Sequence, residues 1–201
     1  MAKANWVAVS KTQGQGDDTV HVSSHDSHTG RLSRTTTLTW KAANVKDVVR
    51  TVAQAGKPED VTMDSSAAAD KTGKVVTISG VSNSAKLTFS LGTGDLTTIS
   101  LPTTYIANSV STKNGVAISG DPGSIAEYPF SITIDVPANE GTTALTRQII
   151  VENEAGKRAI CTLKLAAGDA FIIIAEGDIE LDWQGTPVSV FVDSNTAWSI
   201  E

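Results

Sequence analysis

One residue pattern occurs twice along this chain at a spacing of 112 to 113 residues, and the repeat is out of phase with the chain ends. Val76-Thr77-Ile78-Ser79-Gly80-Val81-Ser82-Asn83 returns as Val188-Ser189-Val190-Phe191-Val192-Asp193-Ser194-Asn195, an offset of 112. Val20-His21-Val22, a polar loop and then Arg34 before the strand to Trp40 return as Ile132-Thr133-Ile134, a polar loop and Arg147 before Gln148-Ile149-Ile150-Val151, at offsets of 112 and 113. Gly56 finds its counterpart in Gly168. Self-similarity at a fixed period marks a repeated structural unit. Residues 58–168 therefore hold a complete unit, residues 1–57 only a rear half and residues 169–201 only a front half.

The local pattern says what kind of unit this is. Alternation of apolar and polar residues, one face in and one face out, is clearest in Thr19–Ser23, Thr36–Trp40, Lys74–Ser79, Ser131–Val136 and Ile179–Trp183. Turn clusters separate them, among them Gln13–Asp18, Gly92-Thr93-Gly94-Asp95 and Gly120-Asp121-Pro122-Gly123. The one fair helix candidate, Ala42 to Ala53, carries β-branched Val45, Val48, Val49 and Val52 and reads as a strand approached by a loop. The expectation is an all-β chain of immunoglobulin-like β-sandwiches, one complete unit plus two complementary half-units, and 201 residues exceed the roughly 100 of a single sandwich. Alternation places Trp40 with Leu38, and Trp183 with Leu181, on inward faces, so these Trp are expected in cores instead of on a sugar-stacking surface.

Composition excludes several classes of function. A net charge of −6 and a sequence pI near 5.0 supply no concentrated cationic field for nucleic acid or anionic lipid, so neither nucleic acid nor membrane is expected as a partner. The single Cys161, in Ala159-Ile160-Cys161-Thr162-Leu163, allows no intrachain disulfide and reads as a small buried hydrophobe. Met1 to Trp6 lacks an apolar signal segment, and no stretch approaches the ~20 apolar residues of a membrane span, so the expected location is the cytoplasm of the producing cell or a particle freed by lysis. His21, His25 and His28 near Asp17, Asp18 and Asp26 form the one cluster with metal-ligand character, but the spacing matches no established finger or zincin pattern, and a polar loop is preferred. Gly14-x-Gly16 and Gly92-x-Gly94 lack the helix and third Gly of a dinucleotide site, and no nucleophile elbow sets a Ser apart. Glu152 and Glu154 read as solvated carboxylates flanking a turn. No catalytic residue, no cofactor and no enzymatic activity are expected.

Placed front then rear, the two terminal segments show a motif. The front half supplies the strand Val188 to Val192, Asn195 and Trp198; the rear half supplies Trp6, the Gly14-x-Gly16 turn, Val20 to Val22, Arg34, and Gln54 before Gly56. This series resembles the BACON domain, an immunoglobulin-like module of Bacteroidales and their phages. The middle unit departs from it, with Leu87 or Phe89 in place of the first Trp, Tyr105 in place of the second and Ala166 near the Gln. The resemblance implies two roles: carbohydrate or mucin binding, or a part in the virions of crAss-like phages. Since the chain shows no export signal, it points first to a virion protein on the capsid surface, a capsid decoration or auxiliary protein whose partner is the major capsid protein. A carbohydrate-binding adhesion module with glycans as partners, and a tail or collar component, are the alternatives.

The ends are expected to complete each other. A partial sandwich leaves an open apolar face and unpaired strand edges. Ile173, Ile179, Leu181, Trp183, Val188, Val190, Val192 and Trp198 of the front half would pack with Trp6, Val20, Val22, Leu38 and Trp40 of the rear half. Closure within one chain would lay the middle unit alongside the composite one, bridged by Ala55–Glu59 and Ala166–Asp169. At ~3.4 Å per residue such links reach ~14–17 Å, marginal against two packed sheets. Strand exchange between subunits, forming a homo-oligomer, avoids the strain.

Overall fold

The computed structural model describes residues 3–174 and 177–201. The protein is all-β. Its strands are β1 (Val7–Val9), β2 (Val22–Ser24), β3 (Arg34–Trp40), β4 (Val48–Gln54), β5 (Val61–Met63), β6 (Ser66–Ala69), β7 (Lys74–Ser82), β8 (Leu87–Gly94), β9 (Thr104–Ala107), β10 (Val110–Lys113), β11 (Tyr128–Val136), β12 (Leu145–Asn153), β13 (Arg158–Leu165), β14 (Ile172–Ile174) and β15 (Val192–Ser194). Among the described residues no helix is long and apolar enough to cross a membrane.

The middle of the chain forms two facing sheets, consistent with an immunoglobulin-like sandwich. One runs β10-β9-β11-β7-β5 and the other β6-β13-β12-β8. Strict alternation builds the core: on β11, Tyr128, Phe130, Ile132, Ile134 and Val136 point inward and are all buried, and they meet Val76 and Ile78 from β7 and Ile149, Val151, Cys161 and Leu163 from the opposite sheet. Phe89 lies 4.9 Å from the ring of Tyr105 and 5.8 Å from that of Phe130, tilted and edge-on, the geometry aromatic quadrupoles prefer. Burial also pushes the Cys161 thiol up to about 11, so it stays protonated and inert.

Among the described residues the terminal segments form two-stranded pieces only: β1-β2, β3-β4 and β14-β15. Three sequence expectations need correction. Ile179–Trp183 is not a strand; the Asp182 carboxylate accepts the N–H groups of Gln184 and Thr186 and the Thr186 hydroxyl, and without a partner strand this local turn wins over extension. The strands of the repeat are shorter than their alternation, with only Val22–Ser24 of the first and Val192–Ser194 of the last in ladders. Gly92-Thr93-Gly94 is not a turn but the end of β8, at a bulge opposite Arg147–Ile149. Gly94 there has φ +142, and a Cβ would come within 2.3 Å of the Thr146 carbonyl oxygen, so only Gly fits.

Candidate functional site

The repeat in sequence is also a repeat in hydrogen bonding. Asn83, fully buried, accepts the N–H of Asp60 at 2.7 Å and donates to the carbonyls of Thr29 (3.1 Å), Lys57 (3.3 Å) and Pro58 (3.3 Å). Asn195 accepts the N–H of Phe171 at 3.0 Å and donates to Asp169 (2.8 Å) and Glu140 (2.9 Å). Beside each Asn a serine hydroxyl bonds the incoming chain: Ser82 to Asp60 O at 2.8 Å, Ser194 to Phe171 O at 2.9 Å. The antiparallel ladder beside each Asn keeps one register. Val61 pairs with Ser82 and Met63 with Gly80; Ile172 pairs with Ser194 and Ile174 with Val192.

These two junctions sit at opposite ends of the central sandwich. The first lies at the Ser82 end of β7, where Arg31 donates to both oxygens of Asp121 at 2.7 and 2.6 Å, its Nε lies 3.6 Å from Glu59, and Lys57 pairs with Glu127. The bidentate pair holds the Asp121 carboxyl below its ordinary value and the Arg31 guanidinium above its own. Gly30 and Gly56 pack so tightly here that a Cβ on either would meet backbone oxygen at 2.2 and 2.0 Å. The second junction lies at the Lys74 end, where Lys71 pairs with Asp169 and Gly168 N–H donates to Gly141 O at 2.7 Å. Nine residues of β7 separate them, about 26 Å at ~3.3 Å per residue.

Beyond each junction an apolar face lies open. In the N-terminal part, Trp6 is half-buried under the Arg34 guanidinium, 4.6 Å from its ring, and Leu38 is nearly buried, but Val20 is only half-buried, Val22 is 41 % exposed and Trp40 is 42 % exposed. Val9, Val20, Leu38 and Trp40, with Lys3, Lys11 and Lys41, line a cavity of about 760 Å³. In the C-terminal part, Ile173 is 55 % exposed, Val188 51 %, Trp198 49 % and Trp183 92 %; Ile179 and Leu181 are exposed, Val190 and Val192 half-buried. The inward placement expected of Trp40 and Trp183 does not hold in the single chain, because no sheet covers the face they would enter. The structure brings Val20, Leu38 and Trp40 of the rear half to one cavity, whereas Trp6, Val22 and the front-half residues are not among its lining. Among the described residues β2 pairs only with β1, β3 only with β4 and β15 only with β14, so one edge of each is open.

No family model and no curated protein matches this chain. The chemistry of the two faces is therefore read from the residues alone. They differ in charge: residues 1–57 carry eight Lys or Arg against four Asp or Glu, whereas residues 169–201 carry seven Asp or Glu and no Lys or Arg. Of the three histidines, His28 Nε2 lies 2.6 Å from Leu32 O, and the backbone N–H groups of His21 and His25 donate to Ser10 Oγ and Trp6 O. Among the described residues no group of three or more His, Cys, Asp or Glu is placed to hold a metal ion, so His21, His25 and His28 form no ligand set. Two features escaped the sequence pattern: the Arg31–Asp121 clamp, whose partners are 90 residues apart with no local signal, and the charge asymmetry of the ends, which a count by segment finds.

Proposed function

We propose that this chain is a structural virion protein, a decoration or auxiliary protein of a phage capsid, whose copies couple through their terminal segments by strand exchange. Residues 1–57 act as a rear half-sandwich, residues 58–168 as the complete unit and residues 169–201 as a front half-sandwich. The observation that carries the coupling is the pair of open apolar faces of opposite charge beyond opposite ends of one sandwich. Fully burying one Val, Leu, Ile or Phe side chain stabilises by ~1.5–3 kcal/mol. Burying even half of Val22, Trp40, Ile172, Ile173, Val188, Trp198 and Ile200 supplies a driving force comparable with the ~4–15 kcal/mol cost of association. The assignment to a virion, with the major capsid protein as partner, rests on the resemblance of the terminal segments to BACON modules and crAss-like phage proteins.

Light scattering after size exclusion tests the coupling: the full chain runs as an assembly with blue-shifted Trp emission, and a version ending at Gly168 runs as a monomer. A full chain that stays monomeric at all concentrations overturns it. Protein abundance in purified virions tests the location, with a high copy number expected for a decoration protein and a low one for a tail or collar component. Trp183, 92 % exposed, favours glycan binding as a second reading. A glycan array with Trp183→Ala as control decides it.

A further inference from the structure

We infer that the tail of one copy fills the N-terminal half of the next in the register of the central sandwich, so that copies add head to tail with a single polarity. The inference rests on the self-coupling reading and specifies its geometry.

The central sandwich supplies the register. There β7 lies between β5 and β11, with Val76 opposite Ile134 and Ile78 opposite Ile132. In the tail, β15 repeats β7 at an offset of 112 and is already paired with β14 on the edge that β7 gives to β5. Its other edge is the one β7 gives to β11, and β11 repeats β2 at the same offset. Carrying the pairing across places Val188 opposite Val22 and Val190 opposite Val20. All four central residues are at most 6 % exposed, whereas Val22 and Val188 are 41 % and 51 % exposed.

A second strand follows by the same route. In the centre β8 edges β12, with Leu87 opposite Asn153 and Phe89 opposite Val151. On the N-terminal half, Trp40 and Leu38 stand 113 positions before Asn153 and Val151. Trp198 and Ile200, three and five residues past Asn195, take the places of Leu87 and Phe89, four and six past Asn83, with one residue lost in the connection, an offset of 111 where the preceding strand has 112. This sets Trp198 beside Trp40 and Ile200 beside Leu38.

Polarity follows from where the halves hang. With Asn195 bonded to Glu140 and Asp169, the tail is anchored at the Lys74 end of β7, while Thr29–Arg31 and Lys57 anchor the other half at its Ser82 end. A donor and an acceptor on different surfaces make a heterologous contact, which grows into a ring or an open chain. The occupant is a second copy because a tail with seven Asp or Glu and no Lys or Arg meets an N-terminal half with eight Lys or Arg against four Asp or Glu, at a cavity lined by Lys3, Lys41 and the Lys11–Asp18 pair.

Mixing two full-length proteins, each with one new cysteine, tests this directly. Val22→Cys and Val188→Cys, mixed at a concentration where light scattering shows that both still assemble, are expected to form a mixed disulfide on mild oxidation, identified by mass spectrometry. Val20→Cys with Val190→Cys is a second in-register pair. Val22→Cys with Val192→Cys, four residues or ~13 Å out of register, is expected to stay unlinked. Cys161, fully buried, does not compete. Assembly with linkage at the shifted pair, or at neither in-register pair, overturns the register and leaves self-coupling standing. A monomeric parent overturns both. Linkage only within one polypeptide, in a chain carrying both cysteines, overturns the head-to-tail order.

Discussion

Ile134 and Val76 face each other across β11 and β7 at 0 % and 6 % exposure, while Val22 and Val188, their counterparts 112 positions before and after, are 41 % and 51 % exposed in the same chain. The residues are of one kind and the pattern is the same. What differs is that the central strands have a neighbour on each edge and a sheet across from them, and the terminal strands do not. Alternation says which way a side chain points, and burial requires something for it to point into. The contrast also appears at the junction asparagines, since Asn83 is sealed at 0 % exposure and Asn195, with an equivalent bonding pattern, is only half-buried.

The contrast can be broken from the central side first. Ile149→Ala, at a site with 0 % exposure, is expected to cost ~2–5 kcal/mol in urea unfolding of the full chain. Asn83→Ala strands the Asp60 N–H and the Thr29, Lys57 and Pro58 carbonyls, for an expected ~2–3 kcal/mol. Asn195→Ala should cost less than half of that in the uncoupled chain and should show its main effect as weaker assembly in a dilution series. Val22→Ala should leave unfolding of the dispersed chain within ~0.5 kcal/mol of the parent while lowering the assembled fraction. An equal loss of stability for Val22→Ala and Ile149→Ala would erase the contrast.

The smallest effect belongs to the clamp at the first junction. The Arg31 hydrogen bonds hold Asp121 below its ordinary value of 3.8, so its contribution is fully present above 3.8 and is lost as pH falls through the lower folded value. The hydrogen-exchange protection factors of residues 28–34, corrected for the intrinsic pH dependence of amide exchange, should be unchanged down to about pH 4 and fall below it. Asp121→Asn, which keeps a residue type tolerant of the φ of 43 found there, should abolish that acid dependence and cost on the order of 1 kcal/mol.

Much of the architecture was legible in the chain. Lys74–Ser79, Ser131–Val136 and Thr36–Trp40 form strands because their β-branched residues alternate with polar ones, and Cys161 is buried because Ile160 and Thr162 alternate outward around it. Ile179–Trp183 misled because the same alternation without a neighbouring strand gives no ladder, and Asp182 then closes a turn on Thr186. Gly92-Thr93-Gly94 misled because a bulge needs Gly as much as a turn does. Of the candidate site, the two sets of apolar residues were legible; the cavity lined by lysines and the clamp at Arg31 were not.

By itself the sequence determined the all-β character, the central strands over Lys74–Ser79, Ser131–Val136 and Gln148–Val151, and the out-of-phase repeat, since all three are written in local periodicity and in spacing along the chain. Only the tertiary structure decided that Asn83 and Asn195 close equivalent junctions at opposite ends of one sandwich, that Arg31 reaches Asp121, and that the terminal apolar faces stay uncovered. These depend on contacts between residues far apart in the chain, and which strand finds a partner is fixed by the packing of the whole fold, not by the pattern of the strand.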